Sequence, residues 1–233
     1  MEEQAKAIQE IATTTGKAID ASVRVGSFLS KIFGDAFREI GEAFHDWAKY
    51  FRYKNLLSIQ DKVEAIHKKR GIQGNTVPIL PRYAIPLIQH ASQEDDESLQ
   101  GMWAGLIANF TDPNKRFDPK KIYIEILSSL EPLDAEVLKF FSTQGWKLFL
   151  KVPGGGVTIS KLVQSIGVSE KDLQLSLQNL ARLGCITDEG VETWDSMGSS
   201  SFGKRVTDPR TTFRPSPLGF DLINVCEMTD SDK

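Results

Sequence analysis

The stretch LPRYAIPLIQHASQEDDESLQGMWAGLIANFTDPNKRFDPKKIYIEILSSLEPLDAEVLKFF, residues 80–141, decides the fold of the chain. Pro113 ends its main helix, because proline disfavours the α conformation at the preceding residue. Two further helices are predicted to begin at Pro119 and at Pro132, since proline is favoured at a first helical position. The main helix carries apolar residues at intervals of three and four, which predicts one broad buried face: Leu99, Met102, Trp103, Leu106, Ile107 and Phe110.

The start of this helix is acidic. Ser92 and Asp95 have the spacing of a capping box, in which a hydroxyl and a carboxylate satisfy backbone N–H groups. The run at residues 94–97 places further acids in the first turn, where the helix dipole favours negative charge. A metal site is the alternative, but neither histidine nor cysteine accompanies the run. The stretch therefore predicts a helical scaffold without catalytic chemistry.

The order of motifs in this region resembles the bacterial family called abortive infection alpha. The order is a proline-flanked helix, an acidic cap, L-x-x-MWA-x-L-x-A-N and then L-x-PLDA-x-VLK-x-F, and it covers roughly residues 20–225. The resemblance implies phage defence in which an infected cell stops growing or dies, and it supplies no catalytic residues. The matching positions are Phe51 to Asn55, Met102, Trp103, Ala104, Leu106, Ala108, Asn109, Leu130, Pro132, Leu133, Asp134, Ala135, Val137, Leu138, Lys139 and Phe141.

Composition places the chain among ordinary soluble proteins. It has 233 residues, of which 40% are hydrophobic and 25% charged, and its net charge is −3. A strongly basic nucleic-acid binder is therefore not indicated. We expect a mainly α fold in three parts: a long amphipathic helical region at 1–75, a central helical domain at 76–142, and a winged-helix-like α+β domain at 143–233.

Cysteine and histidine usage predicts neither a disulfide scaffold nor a metal site. The two cysteines, Cys185 and Cys226, lie in apolar settings and are expected to be reduced core thiols. They and the three histidines lack zinc-ligand spacing, so we expect no metal and no cofactor. An acidic N-terminus and the lack of a long apolar run predict a cytoplasmic protein, with membrane association left open.

The N-terminal region carries an aromatic stripe at helical spacing. Gly26, Gly34 and Gly41 fall about two turns apart within it, and each costs about 1 kcal/mol relative to alanine in a helix interior. Small residues at that spacing let helices approach closely, which predicts helix contacts through the three glycines. The stripe itself predicts one long amphipathic helix: Leu29, Phe33, Phe37, Ile40, Phe44, Trp47 and Phe51.

This helix has two interpretations. The ordinary one is packing against the central helices. The other is a helix that binds a protein partner, self-associates or lies on a membrane surface. Mixed charge on the polar face disfavours the membrane, since membrane-surface helices usually carry a mainly basic polar face: Lys31, Arg38 and Lys49 alternate with Asp35, Glu39, Glu42 and Asp46.

Arg38 and His45 provide an enzymatic alternative. Defence nucleases of the helical HEPN class use an arginine and a histidine at similar spacing, with imidazole as acid or base and guanidinium on the scissile phosphate. The two residues are seven positions apart and therefore lie on nearly the same helix face. A solvated surface pair is the competing interpretation.

The C-terminal part predicts a winged helix-turn-helix. A helix over 159–166, a turn at Gly167 and a helix opened by a Ser169–Asp172 capping box come first. Strands at 185–187, 191–194 and 211–213 and a final helix from Pro217 complete the pattern. The glycine after Pro217 and Leu218 also fits the end of the abortive infection alpha pattern.

DNA binding by this domain is a weaker expectation. Glu170 and Asp172 lie near the start of the second helix, where groove contacts usually form, and acids there oppose phosphate. The wing is more favourable, because four basic residues accompany one acid there: Lys204, Arg205, Arg210 and Arg214 with Asp208.

The sequence therefore predicts an abortive-infection-type phage-defence protein that acts through protein or membrane contacts and not through catalysis. Two alternatives stay open. One is a winged-helix DNA-binding regulator, and the other is a HEPN-like RNase that uses Arg38 and His45.

Overall fold

A computed structural model describes residues 20, 23–34, 53–115, 120–143, 155–189 and 210–226 of the chain. These residues are mainly helical and include a small antiparallel sheet of three strands. The chain divides into two compact units. Unit 1 holds the described residues of Met1–Asp95 and Trp103–Ile124, and unit 2 holds those of Asp96–Met102 and Glu125–Lys233.

Among its described residues, the regular elements of unit 1 are all helices. It contains α1 (residues 23–33), α2 (Tyr53–Lys69) and α3 (Pro81–Ala91), and α2 packs against α3. Two further helices, α4 (Glu97–Phe110) and α5 (Lys121–Leu127), contribute residues to both units.

Helix α1 does not continue through Gly34, and this corrects the prediction of one unbroken stripe. Gly34 has a φ of 56°, and its N–H donates to the Ser30 carbonyl at 2.9 Å. A left-handed residue ends an α-helix because it turns the chain out of the helical path. Leu29 and Phe33 of the predicted stripe are buried in α1. The stripe residues from 37 to 51 lie outside the described residues.

Helix α2 ends at a basic run followed by glycine, which is a sequence signature of a helix C-terminus. His67, Lys68 and Lys69 occupy its last turn, where positive charge suits the helix dipole. Gly71 then adopts a φ of 68°, and the Ile72 N–H donates to the His67 carbonyl at 3.0 Å. This is the glycine-closed helix end that the basic run followed by glycine indicates.

The buried face predicted for α4 is confirmed, because all six of its apolar residues are buried. Its predicted cap is wrong. Asp96, and not Ser92 with Asp95, accepts the backbone N–H groups of Ser98 and Leu99, at 2.9 and 3.0 Å. Ser92 instead donates to the Gln89 carbonyl at the end of α3. Several neighbouring residues of the SQEDDE run can cap a helix, so spacing alone did not select the correct one.

Unit 2 combines helices with the sheet. Helix α8 packs against α6 and α7, and α9 packs against α6. The elements in chain order are α6 (Pro132–Thr143), β1 (Val157–Thr158), α7 (Ile159–Ile166), α8 (Glu170–Arg182), β2 (Ile186–Glu189), β3 (Thr212–Pro215) and α9 (Pro217–Val225).

The sheet has the strand order β1-β3-β2, and both pairings are antiparallel. Phe213 of β3 lies opposite Val157 on one side and Asp188 on the other. Phe213 and Val157 are buried, which anchors the sheet in the core of unit 2. Strand β1 is an addition to the prediction, and the predicted strand at 191–194 lies outside the described residues.

The helix ends of unit 2 follow their sequence signals. The Ser169 hydroxyl accepts the Asp172 N–H at 3.2 Å at the start of α8, which confirms that cap. Gly167 ends α7 with a φ of 82°. At the start of α9, the Ser216 hydroxyl accepts the Gly219 N–H at 3.0 Å and donates to the Gly184 carbonyl.

Candidate functional site

Several residues predicted for function lie outside the described residues. These are Arg38 and His45 of the nuclease hypothesis, Gly41 of the glycine series, and Lys204 and Arg205 of the wing. Their roles stay predictions.

The structure describes two of the arginines predicted for the wing, Arg210 and Arg214. Arg210 is exposed just before β3, and Arg214 lies within β3 opposite Thr187. Both side chains have interactions with other groups of the protein. A DNA-binding role for this pair also stays a prediction.

The two described glycines of the N-terminal series differ in their surroundings. A methyl group on Gly26 would meet no atom within 4 Å, whereas one on Gly34 would meet the Pro78 Cβ at 2.9 Å. The close neighbour of Gly34 is therefore the loop before α3. Contact between helices through Gly26 and Gly41 stays a prediction.

A polar cluster joins the end of α2 to the end of α4 within unit 1. The Arg70 guanidinium donates to the Asp112 carboxylate at 2.9 Å, to Asn109 Oδ1 at 2.8 Å and to the Ala108 carbonyl at 3.3 Å. The side chains of Arg70 and Asp112 are 14% and 3% exposed. A charge pair this buried depends on both partners, because removing one leaves the other desolvated and unpaired.

His67 is the second buried member of this cluster. Its Nε2 lies 3.0 Å from the Thr111 hydroxyl, which in turn donates to the Ile107 carbonyl at 2.9 Å. Burial, assisted by the positive charge of Arg70, lowers the pKa of His67 below its ordinary value. The ring is therefore neutral near pH 7.

The prediction from sequence missed this cluster. The run at residues 67–70 indicated a helix end, which is correct, but it gave no partner for Arg70. The available signal was a set of polar residues in the last turn of the apolar helix α4 and directly after it: Asn109, Thr111 and Asp112. The three partners of Arg70 lie 38 to 42 residues away in sequence, and local patterns do not report such contacts.

A second polar network surrounds Asp134 in unit 2. The buried carboxylate accepts hydrogen bonds from the Ser176 hydroxyl at 2.5 Å, the Asn179 amide at 2.6 Å and the Glu131 N–H at 2.9 Å. Asn179 Oδ1 accepts a hydrogen bond from Arg182 at 2.7 Å. The network fixes the start of α6 against the inner face of α8.

An open depression lies above this network and has a volume of about 480 Å³. Leu175 of α8 is 58% exposed at its edge, and Leu133 is half-buried beside it. The same depression is lined by two exposed acidic residues, Glu131 and Asp172, and by one exposed basic residue, Arg182. An exposed leucine with two acids beside it is the chemistry of a contact with an apolar and basic segment.

The cysteines occupy the core of unit 2, in agreement with the prediction of core thiols. Both are free and buried. Burial raises the pKa of Cys185 to about 12 and raises the pKa of Cys226 as well. Both therefore remain protonated at neutral pH, and a protonated thiol is a poor nucleophile.

Neither a metal-binding group of side chains nor a membrane-spanning helix occurs among the residues that the structure describes. Within them, no three histidine, cysteine or acidic side chains are grouped to hold a metal ion. No described helix has the length and apolar character needed to cross a membrane.

Fold and sites together define a mainly helical protein with a small antiparallel sheet and two buried polar networks. The chain belongs to the abortive infection alpha family, whose model matches residues 53–226, more than half of the sequence. The match confirms the resemblance seen in the sequence, and the family indicates an abortive-infection kind of function in phage defence. No curated protein matches the chain. No solved structure matches it either.

Proposed function

We propose that this protein acts in phage defence by binding a protein partner through the exposed face of α8, without catalysis of its own. Family membership supports the phage-defence part. The contact part rests on one observation: Leu175 is 58% exposed at a depression lined by two exposed acids, Glu131 and Asp172, and one exposed base, so that acidic charge is in excess. The proposed partner segment is basic and apolar, so that it complements both features.

The fold of unit 2 supports a protein contact over a DNA contact. We propose that α7, α8, the sheet and α9 form a winged helix with α8 in the position of a recognition helix. The first turn of α8 contains Glu170 and Asp172, and both are exposed. Carboxylates there repel phosphate, whereas they attract a basic protein segment.

The test is expression in a bacterial host challenged with phage, scoring plaques and cell survival at high phage input. The variant Leu175→Lys places a positive charge at the proposed contact and should lower protection at least about tenfold, the loss expected for about 1.4 kcal/mol of binding. Leu80→Lys is a matched control, because Leu80 is also 58% exposed but belongs to unit 1. It should protect as well as wild type.

The outcomes separate the two parts of the proposal. Equal plaquing and survival with and without the wild-type protein would contradict the phage-defence role. Full protection by a folded Leu175→Lys variant would contradict the contact through α8 while leaving phage defence in place. Loss of protection in both lysine variants would also contradict a contact specific to α8.

The two alternative functions inferred from the sequence predict different experimental results. The DNA-binding alternative requires salt-sensitive binding that Arg210→Ala or Arg214→Ala weakens. The nuclease alternative requires metal-independent RNA degradation that His45→Ala abolishes.

A further inference from the structure

Unit 1 contains a cavity that is not part of the proposed contact through α8. Its volume is about 330 Å³, near the lower end of the range for small-molecule pockets. The cavity lies between α1, α2, the loop after α2 and the end of α4. Four buried apolar side chains form part of its lining: Phe28, Ile32, Val63 and Ile107.

The polar part of the lining is a neutral hydrogen-bonding pair. Both carbonyl groups near the Thr111 hydroxyl are acceptors, those of Ile107 at 2.9 Å and Ala108 at 3.3 Å. When the hydroxyl donates its single proton to the Ile107 carbonyl, its oxygen accepts from His67 in the tautomer that carries the proton on Nε2. The pair polarises the cavity without placing a net charge in it.

The rim of the cavity is also balanced in charge. Lys31 and Glu64 are both exposed lining residues and carry opposite charges. Gln73 and Thr76 add uncharged hydrogen-bonding groups. A site for a phosphate or another anion has an excess of donors and positive charge. This cavity has no such excess among its described lining residues.

We propose that the cavity binds an uncharged heteroaromatic compound about the size of a purine base. A flat ring of this kind buries its apolar faces against the aliphatic and aromatic lining. Its ring nitrogens and substituents keep hydrogen bonds at the edge, where the His67–Thr111 pair and the loop side chains lie. Binding here is independent of the contact through α8, because that face belongs to unit 2.

The experiment uses the full-length protein and three uncharged probes: adenine, cytosine and indole. Thermal shift identifies binding, and calorimetry measures the dissociation constant. Adenosine monophosphate and inorganic phosphate serve as anionic probes. Gln73→Trp fills the mouth of the cavity from an exposed loop position, and Asn75→Trp adds the same side chain two residues later, outside the lining.

At least one uncharged probe should raise the melting temperature of the wild-type protein. The Gln73→Trp variant should bind that probe at least about tenfold more weakly. Asn75→Trp should bind as wild type does, and the monophosphate should bind more weakly than its base. Failure of all three uncharged probes to bind would overturn the proposal. Equal weakening by both tryptophan variants, or binding of phosphate as tight as that of adenine, would overturn it too.

Discussion

Gly219 is the position at which one added methyl group should do the most damage. It lies in the first turn of α9 and packs against Cys185, the last residue of the segment between α8 and β2. A methyl group there would lie 2.7 Å from the carbonyl carbon of Cys185 and 2.9 Å from its Cα, and closer still to its oxygen. Ordinary contact begins at 3.4 Å. Because all three atoms are backbone, no side-chain rotation can relieve the clash.

The cost follows from what the Cys185 carbonyl already does. It accepts the Ser216 N–H at 2.9 Å, which holds the start of α9 in place. Separating the two segments breaks this bond and leaves a buried N–H unsatisfied, at about 1–3 kcal/mol. Overpacking adds about 1–3 kcal/mol. Gly219→Ala should therefore lower the free energy of unfolding by about 4 kcal/mol, a large part of the roughly 5–15 kcal/mol typical of a domain.

Urea unfolding followed by far-ultraviolet circular dichroism measures this loss. Gly101→Ala is the matched control, since it adds the same methyl inside α4 with no atom within 4 Å. The control should gain up to about 1 kcal/mol from helix propensity. A Gly219→Ala protein that unfolds within about 1 kcal/mol of wild type would refute the close approach of α9 to Cys185.

Three further predictions concern unit 1. Gly34→Ala should destabilise by at least about 1 kcal/mol, because φ is positive and Pro78 is 2.9 Å away, whereas Gly26→Ala should be neutral or stabilising in thermal melts. Arg70→Met should lower the free energy of unfolding by about 3–5 kcal/mol in urea, since it leaves the buried Asp112 carboxylate without its ion-pair partner. Burial lowers the pKa of His67, so the unfolded imidazole takes up a proton before the folded one as pH falls below 6.5. Wild-type stability should then drop by at most about 1.4 kcal/mol per pH unit from this group, and His67→Gln should remove that part.

Controls make these predictions decisive. Lys68→Met removes a neighbouring exposed charge and should leave stability within about 0.5 kcal/mol of wild type. Equal losses for Lys68→Met and Arg70→Met would show that the ion pair with Asp112 contributes nothing specific. A His67→Gln protein with the wild-type dependence on pH between about 7.5 and 5.5 would show that His67 titrates alike in both states.

The sequence predicted the parts of the fold that rest on local rules. The face of α4 and the Ser169 cap of α8 follow from periodicity and spacing within a few residues. The Ser92 cap failed because Asp96 offered an equally suitable oxygen four residues later. The continuous N-terminal stripe failed at Gly34, where a left-handed residue closes α1.

The candidate sites were less accessible to prediction. Arg70 meets Asp112 across 42 residues, and Asp134 meets Asn179 across 45. In both pairs the polar side chains meet only because the folded chain brings distant segments together. Leu175 did carry a signal that the prediction did not use, because it is two residues from both Leu173 and Leu177 and therefore lies on the opposite face of the helix.

The order of strands in the sheet has a consequence for synthesis. Strand β3 lies between β1 and β2 and is the last of the three strands to be synthesised, so neither β1 nor β2 can pair before β3 is made. Until Pro215 has emerged, β1 and β2 are open strand edges, which are the usual starting points of aggregation. A stop codon after Glu189 would leave α7 and α8 but remove the centre of the sheet. Nonsense mutations between Glu189 and Thr212 should therefore prevent the sheet of unit 2 from forming, even though they keep most of the chain.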